Sequence, residues 1–343
     1  MTVQTQLPRV SVFSLGGTIA STRSPGGAGS PGGDSGGVVP QLGAAELVGA
    51  VPNLQNVAEL ETAAFRQVPS GDLTFEDIAL LAAEINARFD SGAAGVVVTQ
   101  GTDSIEETSF ALDLLVRGPQ PVVVTGAMRN PTLAGADGPA NLLAAVQVAS
   151  SPDARGLGGL VVLNDEIHAA RFVRKTHTAS PSTFRSVAPG PLGWVAEGRP
   201  RILLRLAPAP PLAPSITGSA PRVALLKMCL GDDARLIEQI ESLGYSGLVV
   251  EAFGGGHVPA RVVSALSRLA ERMPVVLASR TGAGEVLKET YGFPGSERDL
   301  LSRGLVHAGF LDGLKSRVLL TLLLATGADT ADVQKRFNDI NVL

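Results

Sequence analysis

The chain has 343 residues, of which 45% are hydrophobic and 17% charged, with a formal net charge of −4 and a single cysteine. That length exceeds what one hydrophobic core usually organises and suits two domains, and the apolar fraction excludes a disordered chain. The negative balance and the lack of a Lys/Arg block exclude nucleic acid as a partner, and a lone cysteine excludes an intrachain disulfide.

Cys229 lies in the apolar stretch 223–230 and reads as a buried packing residue. Residues 1–10 carry one arginine and no apolar core ahead of a small-residue cleavage site, and no apolar run reaches the ~18 residues of a membrane span. The expectation is a cytoplasmic protein with no membrane partner.

In chain order, short valine- and leucine-rich runs alternate with amphipathic stretches of helical length. The pattern predicts a strand at 10–15, a helix at 75–89, a strand at 95–99, a helix at 105–116, a strand at 121–125, a helix at 138–150 and a strand at 160–163. This is the rhythm of a parallel α/β sheet with crossover helices, and it defines a first α/β domain over residues 1–205. Residues 206–220, LAPAPPLAPSITGSA, read as a linker, because each proline removes an N–H donor and bars both helix interiors and central strands. Over 221–343 the rhythm resumes, with strands at 223–228, 247–251 and 274–278, helices at 234–243 and 260–272, and one long final helix from Lys315. The fold class is therefore α/β: two domains with mainly parallel sheets, the larger N-terminal and the smaller C-terminal.

One stretch breaks the rhythm. Residues 23–37 hold seven glycines and two prolines in fifteen positions and predict a mobile loop. The stretch contains a literal G-x-G-x-x-G at residues 27–32, but a dinucleotide loop must join a strand tightly to a helix, and this match lies in glycine-rich low complexity.

Ligands of open parallel sheets sit outside the carboxyl ends of the strands. Here those ends run into Leu15-Gly16-Gly17-Thr18-Ile19-Ala20, Thr99-Gln100-Gly101-Thr102-Asp103-Ser104 and Thr125-Gly126-Ala127-Met128-Arg129, so two threonines and an aspartate converge on one crevice. Glycines before Thr18 let the backbone turn sharply and leave amide groups free for an oxyanion, although Gly-Gly-Thr also composes ordinary turns. Asp103 with Glu106, or Ser104 with Glu107, is a capping-box pattern. A helix N-terminus with a carboxylate also suits the zwitterionic end of an amino acid, Asp103 pairing the ammonium group.

A threonine hydroxyl is a weak nucleophile and needs a base, a histidine or a lysine made neutral by its surroundings. Lys175, in Ala170-Arg171-Phe172-Val173-Arg174-Lys175-Thr176-His177-Thr178, is a candidate, although a lysine in a basic stretch is ordinarily a solvated surface charge. The histidines, His168, His177, His257 and His307, show no ligand spacing, and neither a G-x-S-x-G elbow nor a phosphate loop occurs. No metal and no cofactor are expected.

Together these segments resemble the bacterial-type L-asparaginase family, which carries G-G-T-I-A and T-x-G-T-D-[ST]-x-E-E-T signatures. They stand here at residues 16–20 and 99–108. Similar stretches follow at Val124 to Arg129, at Ala136-Asp137-Gly138-Pro139 with Asn141-Leu142, at Arg174-Lys175-Thr176, at Thr183-Phe184-Arg185-Ser186 and at Gly190-Pro191-Leu192-Gly193. The likeness runs from Val10 to the C-terminus. It implies two α/β domains, a homodimer or homotetramer with sites between subunits, and cofactor-free hydrolysis of L-asparagine to L-aspartate and ammonia through a threonine acyl-enzyme.

The resemblance makes Thr18 the nucleophile, with the oxyanion held by backbone N–H groups of the Thr102 region. It makes Thr102, Asp103 and Lys175 the second catalytic group, Lys175 activating Thr102 or a water and Asp103 gripping the substrate ammonium. Ser70, in Val68-Pro69-Ser70-Gly71-Asp72, matches the serine that holds the α-carboxylate.

Three departures qualify the likeness. The family's lid carries a tyrosine that polarises the nucleophile, whereas the only tyrosines here are Tyr245 and Tyr291, and the lid's Thr22, Ser24 and Ser35 lack a phenol's acidity. Gly71 stands where many relatives have a substrate-binding glutamine, which loosens the expected pocket. Around residues 253–257 and 282–285, where relatives supply an asparagine and a glutamate to a neighbouring subunit, the asparagine position is glycine and Glu285 matches the glutamate. A loosened pocket leaves room for a broader glutaminase-asparaginase or another amino-acid amidase, and the tyrosine-free lid for a catalytically silent amino-acid-binding protein.

Overall fold

The computed structural model describes residues 6–17, 19, 21–23, 38–40, 43–216 and 218–341, with backbone alone at 21–23 and 38–40. It divides into two units, Met1–Pro211 and Leu212–Leu343. Each is α/β with a mainly parallel sheet, the class that the sequence pattern predicts. Among the described residues no helix is long and apolar enough to cross a membrane.

The first unit runs β1 (Arg9–Ser14), β2 (Ser21–Arg23), β3 (Val38–Pro40), α1 (Ala44–Gly49), β4 (Glu59–Ala64), α2 (Phe75–Asp90), β5 (Gly95–Thr99), α3 (Ile105–Leu115), β6 (Val122–Thr125), α4 (Gly138–Ala149), β7 (Gly159–Leu163), β8 (Glu166–Ala169), β9 (Arg174–Lys175), β10 (Phe184–Arg185), β11 (Gly193–Ala196) and β12 (Arg199–Ile202). Its main sheet has the order β12-β11-β8-β7-β6-β5-β1-β4, parallel from β7 to β4 and antiparallel beyond β7. Strand β5, Gly-Val-Val-Val-Thr, is buried at every residue, as expected of a central parallel strand covered on both faces. Helix α2 forms because Ile78, Leu81, Ala82, Ile85 and Phe89 fall on one face and Thr74 opens it with a capping box to Asp77.

Strand order reverses beside β1. The chain leaves β1 for β4 on one side and returns to β5 on the other, which makes the carboxyl ends of β1 and β5 a topological switch point. Ser14 lies level with Thr99, and Thr99 with Thr125, so the polar segments following β1, β5 and β6 leave the sheet side by side.

The stretch predicted as a loop, residues 23–37, starts on the last residue of β2 and is followed by β3 at Val38. Strands β2 and β3 pair antiparallel, Thr22 opposite Val39. Ser24, Ser35 and the G-x-G-x-x-G match lie outside the described residues, as does Thr18.

The second unit runs β13 (Val223–Lys227), α5 (Arg235–Gln239), β14 (Gly247–Ala252), α6 (Ala260–Ala270), β15 (Val275–Ser279), α7 (Glu297–Ser302), β16 (Val306–His307), α8 (Gly313–Ala325) and α9 (Thr330–Ile340). The four strands are parallel in the order β13-β14-β15-β16, and α8 buries Val318, Leu319, Leu320, Leu322 and Leu323 against them. Two expectations fail here. The single final helix is two helices, because Gly327 takes φ of 81° and Asp329 caps a new start, accepting the Asp332 N–H at 2.9 Å. Cys229 is exposed, not buried: the chain leaves the sheet after Lys227, and the Cys229 N–H turns to the Asp232 carboxylate.

His168 on β8 is almost fully buried, its Nδ1 3.0 Å from the Ser186 hydroxyl and its Nε2 3.3 Å from a Glu166 oxygen, off the line of a hydrogen bond. Burial, helped by the nearby Arg185 guanidinium, lowers its pKa from 6.5 to about 4. As pH falls, the unfolded chain therefore takes up this proton first. The effect is nil above about pH 7.5, grows as pH drops through 6.5 and levels off near 4, where it costs roughly 3 kcal/mol of folding free energy. Urea unfolding at pH 7.5 and 4.5 should show His168→Gln losing less stability on acidification than the unmodified chain; equal losses would refute the assignment.

Candidate active site

The segments that leave β1, β5 and β6 meet through glycines. The Leu15 N–H donates to the Thr99 carbonyl at 2.8 Å and the Val68 N–H to the Leu15 carbonyl at 3.2 Å, which lays the chain following β4 beside the end of β1. Gly16 and Gly17 have φ of 96° and 85°, a region costly for any residue with a β-carbon. A β-carbon on Gly16 would stand 2.8 Å from the Val68 carbonyl oxygen, and one on Gly17 would overlap the Gly101 backbone. Gly101 in turn leaves no room for a β-carbon beside the Ser70 hydroxyl, and Gly126 little beside the Thr102 methyl. Ser70 and Thr102 are thereby drawn to the residue that precedes Thr18.

Ser70 opens a single 3-10 turn, Ser70–Asp72, and Thr102 another, Thr102–Ser104, which leads directly into α3. The two are tied by the Ser104 hydroxyl, which donates to the Ser70 carbonyl at 2.8 Å and accepts from the buried Gln100 amide at 3.3 Å. The Ser70 hydroxyl is buried and has no hydrogen-bond partner among the described residues. Such a group is costly to leave unpaired, and an incoming acceptor would satisfy it.

Lys175 arrives from the hairpin of β9 and β10, where it pairs with Phe184. Its backbone N–H donates to the Glu106 carboxylate at 3.0 Å, and its ammonium donates to the Thr102 hydroxyl at 2.9 Å and to Asp103 at 2.6 Å. The lysine side chain is 16% exposed and that of Asp103 82%. The ion pair is therefore largely solvated on its acidic side and adds little stability; its worth is geometric. Asp103, Lys175, Thr176, His177 and Thr178 line one open depression.

This arrangement replaces the capping box expected at the start of α3. Ser104 is the N-cap residue but makes no side-chain cap, its hydroxyl being committed to Ser70, while Glu106 is turned to the Lys175 backbone. The surface-charge reading of Lys175 likewise gives way to a three-way hydrogen-bonded one. Gly71 is exposed with open space where a side chain would begin. Glu285 is exposed, in the second unit, in the loop after β15. In that unit a β-carbon on Gly255 would fall 2.6 Å from Leu287, so an asparagine there would have to displace that leucine. Sequence reasoning gave no role to Gln100 and only a capping one to Glu106; their place beside Thr102 within one signature was the available signal.

The chain matches two family models, the asparaginase N-terminal model over residues 9–207 and the glutaminase/asparaginase C-terminal domain over residues 222–337. It is similar to a probable L-asparaginase of Deinococcus radiodurans, with 36% identity over 96% of this chain and 97% of that one. It is 34% identical to L-asparaginase 2 of Escherichia coli, over 97% of this chain and 93% of that one. The crystal structure of a probable cytoplasmic L-asparaginase from Campylobacter jejuni superposes with a TM-score of 0.85 at 30% identity, covering 96% of this chain and 99% of that one.

The glycine contacts are directly testable. Gly17→Ala combines a disfavoured backbone conformation with overlap on Gly101, and should lower the unfolding free energy by about 2–4 kcal/mol, read from the urea midpoint. An unchanged midpoint would mean that the two segments do not touch.

Proposed function

The chain belongs to the asparaginase family, and from that premise we propose that it hydrolyses L-asparagine to L-aspartate and ammonia without a cofactor, as a cytoplasmic homodimer or homotetramer. The observation that carries the reading is Lys175 Nζ held within hydrogen-bonding distance of both the Thr102 hydroxyl and the Asp103 carboxylate, at 2.9 and 2.6 Å.

In the proposed reaction the Thr18 hydroxyl attacks the side-chain amide carbon. The developing oxyanion is held by backbone N–H groups of the Thr102 region. The amide C–N bond breaks, the leaving nitrogen gains the threonine proton and departs as ammonia, and an ester to Thr18 remains. Water, oriented by Thr102, gives a proton to Lys175 acting as the neutral amine and attacks that ester; the ester C–O bond breaks and the lysine passes the proton to the departing Thr18 oxygen. The unpaired Ser70 hydroxyl donates to the substrate α-carboxylate, and Asp103 accepts from its ammonium group. The partner subunit's Glu285 completes the pocket.

Purified protein should release ammonia from L-asparagine. Thr18→Ala, Thr102→Val and Lys175→Met should each lower kcat by about 10²–10⁴ with little change in Tm. Mixing refolded Lys175→Met and Glu285→Ala proteins should recover part of the activity. Full activity in both threonine variants, or no ammonia from any amino-acid amide, would overturn the reading; the latter with aspartate binding intact would identify a silent binding protein.

The open space at Gly71 favours a second substrate, the longer L-glutamine. Its kcat/KM should lie within about 10²-fold of that for L-asparagine, and Gly71→Gln should widen the ratio. A glutamine efficiency equal to or above that for asparagine would reassign the enzyme as a glutaminase-asparaginase.

A further inference from the structure

The depression beside Lys175 has a wall that the proposed reaction leaves unassigned, the loop of residues 176–183 connecting β9 to β10. Its base is closed by the fully buried Thr183. That carbonyl accepts from the Thr176 N–H at 2.9 Å and the Thr176 hydroxyl at 2.8 Å, and its hydroxyl accepts from the His177 N–H at 2.7 Å. The tip is held differently. His177 Nδ1 lies 3.0 Å from both the Ala179 and the Ser180 backbone nitrogens. Both partners are N–H donors, so Nδ1 is the acceptor. The imidazole thus stands as an internal strut two residues from Lys175, in a loop whose exposed residues Thr176, His177 and Thr178 line the depression together with Asp103.

We propose that His177 is a positioning residue. Its Nδ1 lone pair, by accepting the two amide groups of the loop tip, holds this wall in the conformation that keeps Lys175 aimed at Thr102 and Asp103. The kinetic part of the proposal rests on the amidase reading; the structural part does not.

Two substitutions separate the strut from other roles. Asparagine carries an acceptor oxygen close to where histidine carries Nδ1, and lacks the distal nitrogen; alanine carries neither. Backbone amide exchange over residues 178–182, followed by mass spectrometry, should quicken in His177→Ala and stay protected in His177→Asn. With L-asparagine, His177→Ala should lose about tenfold in kcat with KM and Tm little changed, and His177→Asn should recover most of that loss. Protected exchange with equal kinetic loss in both variants would assign the function to Nε2 and overturn the proposal, as would unchanged exchange and kinetics in His177→Ala. If the unmodified protein releases ammonia from no amide, the amidase reading fails, while the exchange comparison still decides whether the strut exists.

Discussion

The approach of Gly17 to Gly101 constrains everything built above the carboxyl edge of the first sheet. Adjacent parallel strands stand about 4.8 Å apart, so the chains that leave β1 and β5 at the switch point must turn away from each other or pass in backbone contact. They pass in contact, which tolerates no β-carbon on Gly17 and gives Gly16 a left-handed conformation against Val68. The result is a main-chain contact between the segments that leave β1 and β5.

Around that backbone contact the polar groups are held by buried or half-buried partners. Ser104, committed to the Ser70 carbonyl, joins the two turns, and Gln100 supports it from beneath. Lys175 is brought to the same point from about seventy residues away, and the agent is the Glu106 carboxylate on its backbone N–H rather than the solvated pair with Asp103. A buried acceptor on an amide fixes a main-chain position, whereas an exposed ion pair has too little net strength to do so. The ammonium group can therefore exchange partners while its strand stays still.

The parts of the fold that the sequence discloses are those whose burial is uniform. Strands β5, β6 and β7 are covered on both faces and carry unbroken valine and leucine runs, and β1, Arg-Val-Ser-Val-Phe-Ser, keeps its apolar residues among small serines; helices α2, α3 and α4 follow with matching spacing. Strand β4, Glu-Leu-Glu-Thr-Ala-Ala, and the antiparallel strands β11 and β12 went unread, because β4 and β12 form the sheet edges and β11 and β12 keep exposed or half-exposed positions, among them Trp194. Cys229 was misread for the opposite reason. Its neighbours are apolar, but the strand ends at Lys227 and the turn that follows exposes it.

The candidate site divides along the same line. The sequence by itself determined the chemistry available: glycines where no side chain can stand, two threonine signatures at strand ends, an aspartate at a helix start, and the family to which they belong. Those are local matters, set by φ, by residue type and by strand periodicity. Only the tertiary structure decided which groups act on one another. Glu106 and Glu107 are adjacent in the chain and equal as capping candidates, yet Glu106 is the one that takes the Lys175 N–H, because a hairpin from elsewhere supplies that donor. Ser104 could cap its own helix and instead joins Ser70. A short polar side chain has several partners of similar energy within reach, and the choice falls to the long-range packing that brings one of them to hydrogen-bonding distance.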